Sequence, residues 1–282
     1  MMVSFMHRKV VRMAVIQMAS KTLDKERNIS RTIELLEQAV HEKAELIVLP
    51  ELCTSGYNFK SLKEATSVSE TIPNGLTTRR WVEFAEENNV YLVGGVCESA
   101  GNSLYNSAVI VGPEGYVGTY RKVHLWHKEK IWFKAGSRFK VFDTPLGKIG
   151  AMICYDNFFP ETTRILTRMG ADVVCQPTAT QQEDVFDFLI NQVRSAENAI
   201  FIGTANLVGK ERDIHFAGQS QITNPQGKIL VKELEEQESV LTADINISEA
   251  TKAKQINELN NIISDRRTDL YLDLFGYAQN QE

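Results

Sequence analysis

The sequence has 282 residues, 31 basic against 36 acidic side chains, a formal net charge of −5, and 43% hydrophobic with 24% charged residues. That balance excludes a disordered chain and lacks the basic footprint of nucleic-acid or anionic-membrane binding. No apolar run approaches the roughly 18 residues that a bilayer span needs. The length suffices for one sizeable core. With no linker rich in Gly, Pro or Ser, the chain reads as a single domain over 10–260, with an extension at 1–9 and a tail at 261–282.

Val10 to Met18 reads as a buried strand. Arg27 to Lys43 reads as a helix, with Ile29, Ile33, Leu36 and Val40 at helical spacing. A short apolar run, ELIVLPEL, is ended by Pro50. Gly75 to Asn88 is again helical, and Tyr91 to Val96 is a strand. This β-α-β-α-β order packs helices against a sheet of buried strands. Further along, GPEG and TPLG each sit between strand-like runs and predict antiparallel hairpins. Pro160 is placed to open a helix that Gly170 ends, with Thr163, Ile165, Leu166 and Met169 facing inward. A strand (Asp172 to Gln176), a helix (Phe186 to Asn198) and a strand (Ala199 to Asn206) follow. Two strands then flank a turn at Asn224, Pro225 and Gly227, and VLTADINI is the last strand. Leu270, Tyr271, Leu272 and Phe275 make the tail apolar enough to pack on the body or on a second subunit.

The four cysteines, Cys53, Cys97, Cys154 and Cys175, form no CxxC pair. They are expected as free thiols in a reducing compartment. The mixed N-terminal stretch MMVSFMHRK does not have the pattern of a secretory signal, so the expected location is the cytoplasm. Buried free cysteines are ordinarily small hydrophobes, the reading given to Cys53, Cys97 and Cys175. Cys154 differs because GKIGAMICYDNFFPE puts it where a strand ends and a helix is about to begin. Exposed backbone N–H groups there stabilise a thiolate, so Cys154 is a candidate nucleophile.

A nucleophilic thiol needs a base. His124 and His127, in RKVHLWHKEK, are available for that role or for a metal, but they lack the HExxH pattern and a matched cysteine pair. The other available base is Glu51, at the C-terminal end of ELIVLP, the sheet edge where open α/β folds hold ligands. Buried against an apolar wall, its pKa would rise towards neutrality. Lys122 follows the strand GYVGTYR and is a candidate cation for a developing oxyanion. Spacing alone does not bring the three together.

ELIVLPEL with Glu51, GTYRKVHL with Lys122 and GAMICYDNFFPE with Cys154, in that order, resemble the three signature segments of the nitrilase superfamily of carbon–nitrogen hydrolases. TSGYNF, VGGVCE, NSAVIVGPEG, RSAENAIFIGTAN, GQSQITNPQG and SDRRTDLY extend the resemblance from Val10 to Tyr271, closest to small microbial aliphatic nitrilases and amidases. The resemblance implies an α/β fold, an α-β-β-α sandwich with mixed sheets. It also implies pairing of subunits through helices into a homodimer or higher homo-oligomer, with C-terminal segments joining the contact. Carried onto this chain, it makes Glu51 the general base and Cys154 the nucleophile. Lys122 and the backbone N–H of Tyr155 become the oxyanion donors, and Glu129 a second glutamate beside the nucleophile. His124 and His127 become lining or structural residues. No metal or organic cofactor is implied, and the expected partner is a small amide or nitrile. N-carbamoyl hydrolysis and amide acyl transfer use the same thioester, and a binding protein on the same fold is the reading from another class. Strict nitrile branches read Cys-Trp-Glu where this chain has Cys154-Tyr155-Asp156. Tyr57, Trp126, Trp132 and Phe133 are candidate pocket walls, and Arg194 is the nearest candidate to meet a substrate carboxylate.

Overall fold

The computed structural model of the protein describes residues 10–182 and 186–271. The first half runs β1 (Val10–Gln17), α1 (Lys25–His41), β2 (Leu46–Val48), α2 (Leu62–Val68), α3 (Leu76–Asn88), β3 (Tyr91–Ala100), β4 (Ser103–Gly112) and β5 (Gly115–Arg121). The second runs α4 (Glu129–Trp132), β6 (Val141–Thr144), β7 (Gly147–Ala151), α5 (Pro160–Arg168), β8 (Val173–Thr178), α6 (Phe186–Asn198) and β9 (Phe201–Asn206). It ends with β10 (Val208–Glu211), β11 (Ile214–Ala217), β12 (Gln221–Thr223), β13 (Ile229–Lys232), β14 (Ser239–Asn246) and α7 (Ile247–Ala253).

The strands form two six-stranded mixed sheets, in the orders β14-β1-β2-β3-β4-β5 and β13-β12-β9-β8-β7-β6, plus the separate hairpin β10-β11. Each large sheet has the same plan. Three parallel strands lie at the centre, β1-β2-β3 in one and β7-β8-β9 in the other, with antiparallel strands on both flanks. The central strands are buried on both faces, as parallel strands require.

Packing follows from the side-chain alternation of the strands. Met13, Val15, Val93, Ile110 and Tyr120 of the first sheet meet Ile149, Ala151, Val173, Phe201 and Ile222 of the second in one core. The opposite faces carry helices: Leu35, Leu36, Trp81 and Phe84 of α1 and α3 cover the first sheet, and Leu166 of α5 packs on the second. The result is the α-β-β-α sandwich. The sheets lie so close that a Cβ on Gly203 would fall 1.9 Å from Met13 Cε.

One expectation is corrected. Ile165 of α5 and Met169 at its C-terminal cap are 37% and 46% exposed rather than inward. The helix buries Thr162, Thr163 and Thr167 with Leu166 instead, because a short helix laid flat on a sheet suits small side chains. As expected, Pro160 opens α5; a 3-10 turn, Cys154–Phe158, comes between it and the preceding strand. Leu270 is 61% exposed, while Leu272, Phe275 and the extension at 1–9 lie outside the described residues. No helix among the described residues is long and apolar enough to cross a membrane.

Candidate active site

The first sheet supplies charged groups at its strand ends. Glu51 follows β2 on a turn that lies directly against β3. Gly95 makes that approach possible, since a Cβ there would fall 2.4 Å from Leu52 N and 2.5 Å from Glu51 Cα. The turn is pinned by Gly95 N–H donating to Pro50 O (3.0 Å) and by Glu51 N–H donating to Thr178 O of the second sheet (3.3 Å). Lys122 follows β5, its N–H held by Asn106 O at 2.8 Å. Glu129 opens α4 and is 4% exposed.

These three side chains meet. Lys122 Nζ donates to Glu51 Oε1 at 2.7 Å and to Glu129 Oε1 at 2.8 Å, with Glu51 and Lys122 fully buried. Asn106 Nδ2 donates to Glu51 Oε1 at 2.6 Å. Tyr57 OH donates to Glu129 Oε1 at 2.7 Å, and Trp126 N–H to Glu129 Oε2 at 3.2 Å.

Burying ions costs several kcal/mol each unless the geometry compensates, and the protonation equilibria show the tension. Burial pushes the Glu51 carboxyl up to about 7; Lys122 opposes the rise and the Glu129 carboxylate adds to it. Burial works against the Lys122 ammonium, but Glu129 and Glu51 outweigh it and hold that group well above its usual range. Burial first, then the Glu129 and Glu51 charges, raise Tyr57 well above the ordinary phenol. Tyr57 therefore remains a donor.

The second sheet supplies the thiol. Cys154 sits at φ +45°, in the left-handed region, a conformation that costs a non-glycine residue about 1 to 3 kcal/mol and persists only where surroundings impose it. Asp156, fully buried, is what imposes it. Its Oδ2 accepts the Ile153 N–H (2.9 Å) and the Tyr120 hydroxyl (2.7 Å), and its Oδ1 accepts the His124 N–H (2.9 Å) and lies 2.9 Å from His124 Nδ1. His124 stacks on Phe159 with ring centroids 3.8 Å apart. It serves the turn that carries the thiol.

Cys154 is only half-buried, whereas Cys53, Cys97 and Cys175 are buried. Burial pushes the Cys97 thiol up to about 12 and the thiols of Cys53 and Cys175 higher still. Cys154 lines a cavity of about 20 Å³ with Tyr57, Trp126, Tyr155, Phe158 and the segment Ala179 to Gln181. Its charge is felt at both Lys122 and Tyr57, so thiol and ion cluster share one neighbourhood. Tyr155 packs edge-on against Trp126, centroids 4.7 Å apart. Through Tyr57, Trp126 and Gln181 the small cavity adjoins an outer one of about 410 Å³, which Glu129, His127, Trp132 and Phe133 also line. The expected wall residues are therefore divided: Tyr57, Trp126 and Tyr155 lie beside the thiol, and Trp132 and Phe133 in the outer chamber.

Arg194 does not face the cavity. It is 8% exposed, and its guanidinium donates to Asn157 O (3.0 Å), Phe158 O (3.1 Å) and Glu197 Oε1 (3.0 Å). A planar fork suits that task of holding carbonyls of the 3-10 turn, so the expectation of a carboxylate receptor is withdrawn. Among the described residues, no group of three His, Cys, Asp or Glu side chains is placed to hold a metal. Asn106 and Glu211 carry no local sequence signal that marks them; their roles come from partners distant in the chain.

A half-buried thiol just beyond a strand, near a buried carboxylate and ammonium in an α-β-β-α sandwich, is the arrangement expected from the resemblance to the nitrilase superfamily. The family comparison agrees. The carbon–nitrogen hydrolase family model matches residues 12–255, and the chain belongs to that family, within the nitrilase superfamily. It is thus an enzyme acting on carbon–nitrogen bonds other than peptide bonds. A nitrilase from Pyrococcus abyssi is 40% identical over 263 residues, covering 93% of this chain and 99% of that protein. An omega-amidase from Homo sapiens is 30% identical over 275 residues, covering 92% and 96%. The crystal structure of a carbon–nitrogen hydrolase from Helicobacter pylori G27 superposes with a TM-score of 0.86 at 27% identity, covering 95% of this chain and 99% of that one.

Proposed function

We propose that the protein hydrolyses a small amide or nitrile through a thioester on Cys154, releasing ammonia. The observation that carries this reading is the fully buried Lys122 ammonium, shared between Glu51 and Glu129 within the electrostatic reach of the Cys154 thiol. For an amide, Glu51 takes the thiol proton as Sγ attacks the carbonyl carbon. The resulting oxyanion is met by Lys122 Nζ and the Tyr155 N–H. Glu51 returns the proton to the nitrogen, the carbon–nitrogen bond breaks and ammonia leaves. Water then attacks the thioester with Glu51 as base, giving the acid and restoring the thiol. Glu129 holds Lys122 in place and Tyr57 holds Glu129. The cavity beside the thiol, about 20 Å³, fits a small reacting group, since a water needs about 10 to 15 Å³ by the same measure. The remainder of a substrate would occupy the outer chamber.

The test is ammonia release from a panel of amides, nitriles and N-carbamoyl compounds, wild type beside Cys154→Ala. Release that disappears in Cys154→Ala with the melting temperature retained is the expected result; undiminished release in that variant would falsify the mechanism. Carbon dioxide evolved with the ammonia assigns carbamoyl substrates instead. Hydroxamate formed with hydroxylamine at the expense of the acid assigns acyl transfer. No turnover, together with ordinary thiol reactivity at Cys154, assigns a binding protein.

The cysteines are thiols rather than disulfides, which suits the reducing cytoplasm. Ile165 of α5 and Met169 at its C-terminal cap, with Leu189 and Val193 of α6, leave apolar side chains exposed at i, i+4 spacing on the outer helices of the second sheet. This face pairs two copies into a homodimer. Sedimentation should give a dimer mass for the wild type and a monomer for Met169→Glu; a monomeric wild type at micromolar concentration removes the assignment.

A further inference from the structure

The hairpin β10-β11 belongs to neither large sheet, yet it touches both walls of the thiol cavity. On one side it holds the segment that carries Tyr57. Glu211, at the end of β10, is 3% exposed. Its Oε2 accepts the backbone N–H groups of Tyr57 (2.9 Å) and Asn58 (3.0 Å) and the Thr22 hydroxyl (2.9 Å), and its Oε1 accepts the Ser20 hydroxyl. Gly56 lets the chain press this close: it sits at φ +78°, and a Cβ there would fall 2.5 Å from Thr22 Cα and 3.1 Å from Glu211 Oε1. Phe216 of β11 packs edge-on against the Tyr57 ring, centroids 5.9 Å apart and planes at 89°. On the other side, Ala217 N–H donates to Thr180 O (2.9 Å) and Gln182 N–H to His215 O (2.9 Å), fixing the wall opposite.

Tyr57 is therefore held at its backbone by Glu211 and at its ring by Phe216, and its hydroxyl reaches Glu129. We infer that Glu211 is a positioning residue of the reaction: its carboxylate fixes the backbone at Tyr57, and through the Tyr57–Glu129 hydrogen bond it orients the Lys122 ammonium in the site. The chain of contacts is continuous, Glu211 to Tyr57 N–H, Tyr57 OH to Glu129, Glu129 to Lys122. A carboxylate is suited to the first link because one oxygen takes three donors at once, and because a buried backbone N–H left without an acceptor is strongly unfavourable. The inference rests on the hydrolase reading of Cys154, so its test includes a readout that needs no substrate.

The experiment compares wild type, Glu211→Ala, Glu211→Gln, Tyr57→Phe and the Glu211→Ala/Tyr57→Phe pair. Two quantities are measured: kcat and KM for ammonia release from the best substrate of the panel, and the pH profile of Cys154 alkylation by iodoacetamide, read by mass spectrometry. Glu211→Ala is expected to lower kcat/KM by about 10²-fold, the scale of a small misplacement in an active site, with the loss mainly in kcat. Glu211→Gln recovers most of it, because the amide oxygen still accepts from Tyr57 and Asn58. The double variant falls no more than about threefold below the weaker single variant, since both substitutions break one chain of contacts. The alkylation midpoint is displaced equally in Glu211→Ala, Tyr57→Phe and the pair. Losses that multiply in the double variant, or an alkylation profile in Glu211→Ala that stays at the wild-type midpoint, overturn the inference. If Glu211→Ala does not fold, Glu211→Asp, too short to reach both N–H groups, carries the same comparison. If the wild type releases no ammonia, the hydrolase reading fails by itself, and the alkylation profiles alone decide the role of Glu211.

Discussion

The two sheets equip the site by opposite means. The first contributes ions: Glu51, Lys122 and Glu129, held within 2.8 Å contacts and almost without solvent. The second contributes a thiol whose placement depends on backbone conformation, φ +45° at Cys154, secured by one buried carboxylate, Asp156. Ion clusters respond to charge and pH; a strained turn responds to lost hydrogen bonds. The difference teaches that substitutions of similar size on the two sides should fail in different ways.

The largest effect falls on the ionic side. Lys122→Met leaves two buried carboxylates facing each other without their cation. Breaking such a pair destabilises by about 3 to 5 kcal/mol, and losing an oxyanion donor lowers kcat by about 10² to 10³-fold. The stability deficit should shrink as pH falls, because protonated carboxyls need no cation. Urea unfolding at pH 5 and pH 8 reads this directly, and equal deficits at both values would remove the buried-charge account.

Next in size is Asp156→Asn. The amide cannot accept from Ile153, Tyr120 and His124 together. Stability should fall by about 1 to 3 kcal/mol, the scale of a buried donor left unmade, with kcat/KM falling too. The acidic limb of the pH profile should stay where it is. A shifted limb in this variant would mean that the two sides are not separable.

The smallest effect is the one that sharpens the contrast most. The proposed mechanism needs Glu51 unprotonated to receive the thiol proton, so kcat/KM should rise with pH through about 7, where an ordinary carboxyl would have finished titrating near 4.3. The Glu129 charge is one cause of that elevation. Glu129→Gln removes it and leaves Lys122 to Glu51 alone, and both changes favour the Glu51 carboxylate. The acidic limb therefore moves to lower pH, with an accompanying loss in kcat. A limb that stays near 7 in Glu129→Gln would assign it to another group.

The sequence was most legible where chemistry coincides with strand ends. Glu51, Lys122 and Cys154 each follow an apolar run, and Glu129 came with the family resemblance; the structure places the first two and Glu129 in direct contact. The sheets were legible as well, because buried strands and Gly-Pro turns leave local marks. The hairpin β10-β11 was not. Its two-residue loop is Arg212-Asp213, with Arg212 itself at φ +56°, where the usual signal would be Asn-Gly. A bidentate pair from Arg212 to Glu64 and a bond to Asn58 O hold that turn from outside. Asn106 and Glu211 were hidden for the same reason: a buried polar side chain is defined by partners distant in sequence. Arg194 looked like a receptor for substrate because one sequence does not tell a guanidinium facing a pocket from one facing carbonyls. The apolar residues of α5 misled in turn, since periodicity marks an apolar face without saying what covers it.

With both carboxylates ionised, the Glu51-Lys122-Glu129 cluster carries one net negative charge and is almost wholly buried. A neutral amide or nitrile meets no electrostatic opposition on entering. The acid formed from it ionises beside two glutamates and is repelled. In the proposed reaction, the geometry that readies the thiol would also give the cycle a direction, expelling the product by the charge that hydrolysis creates.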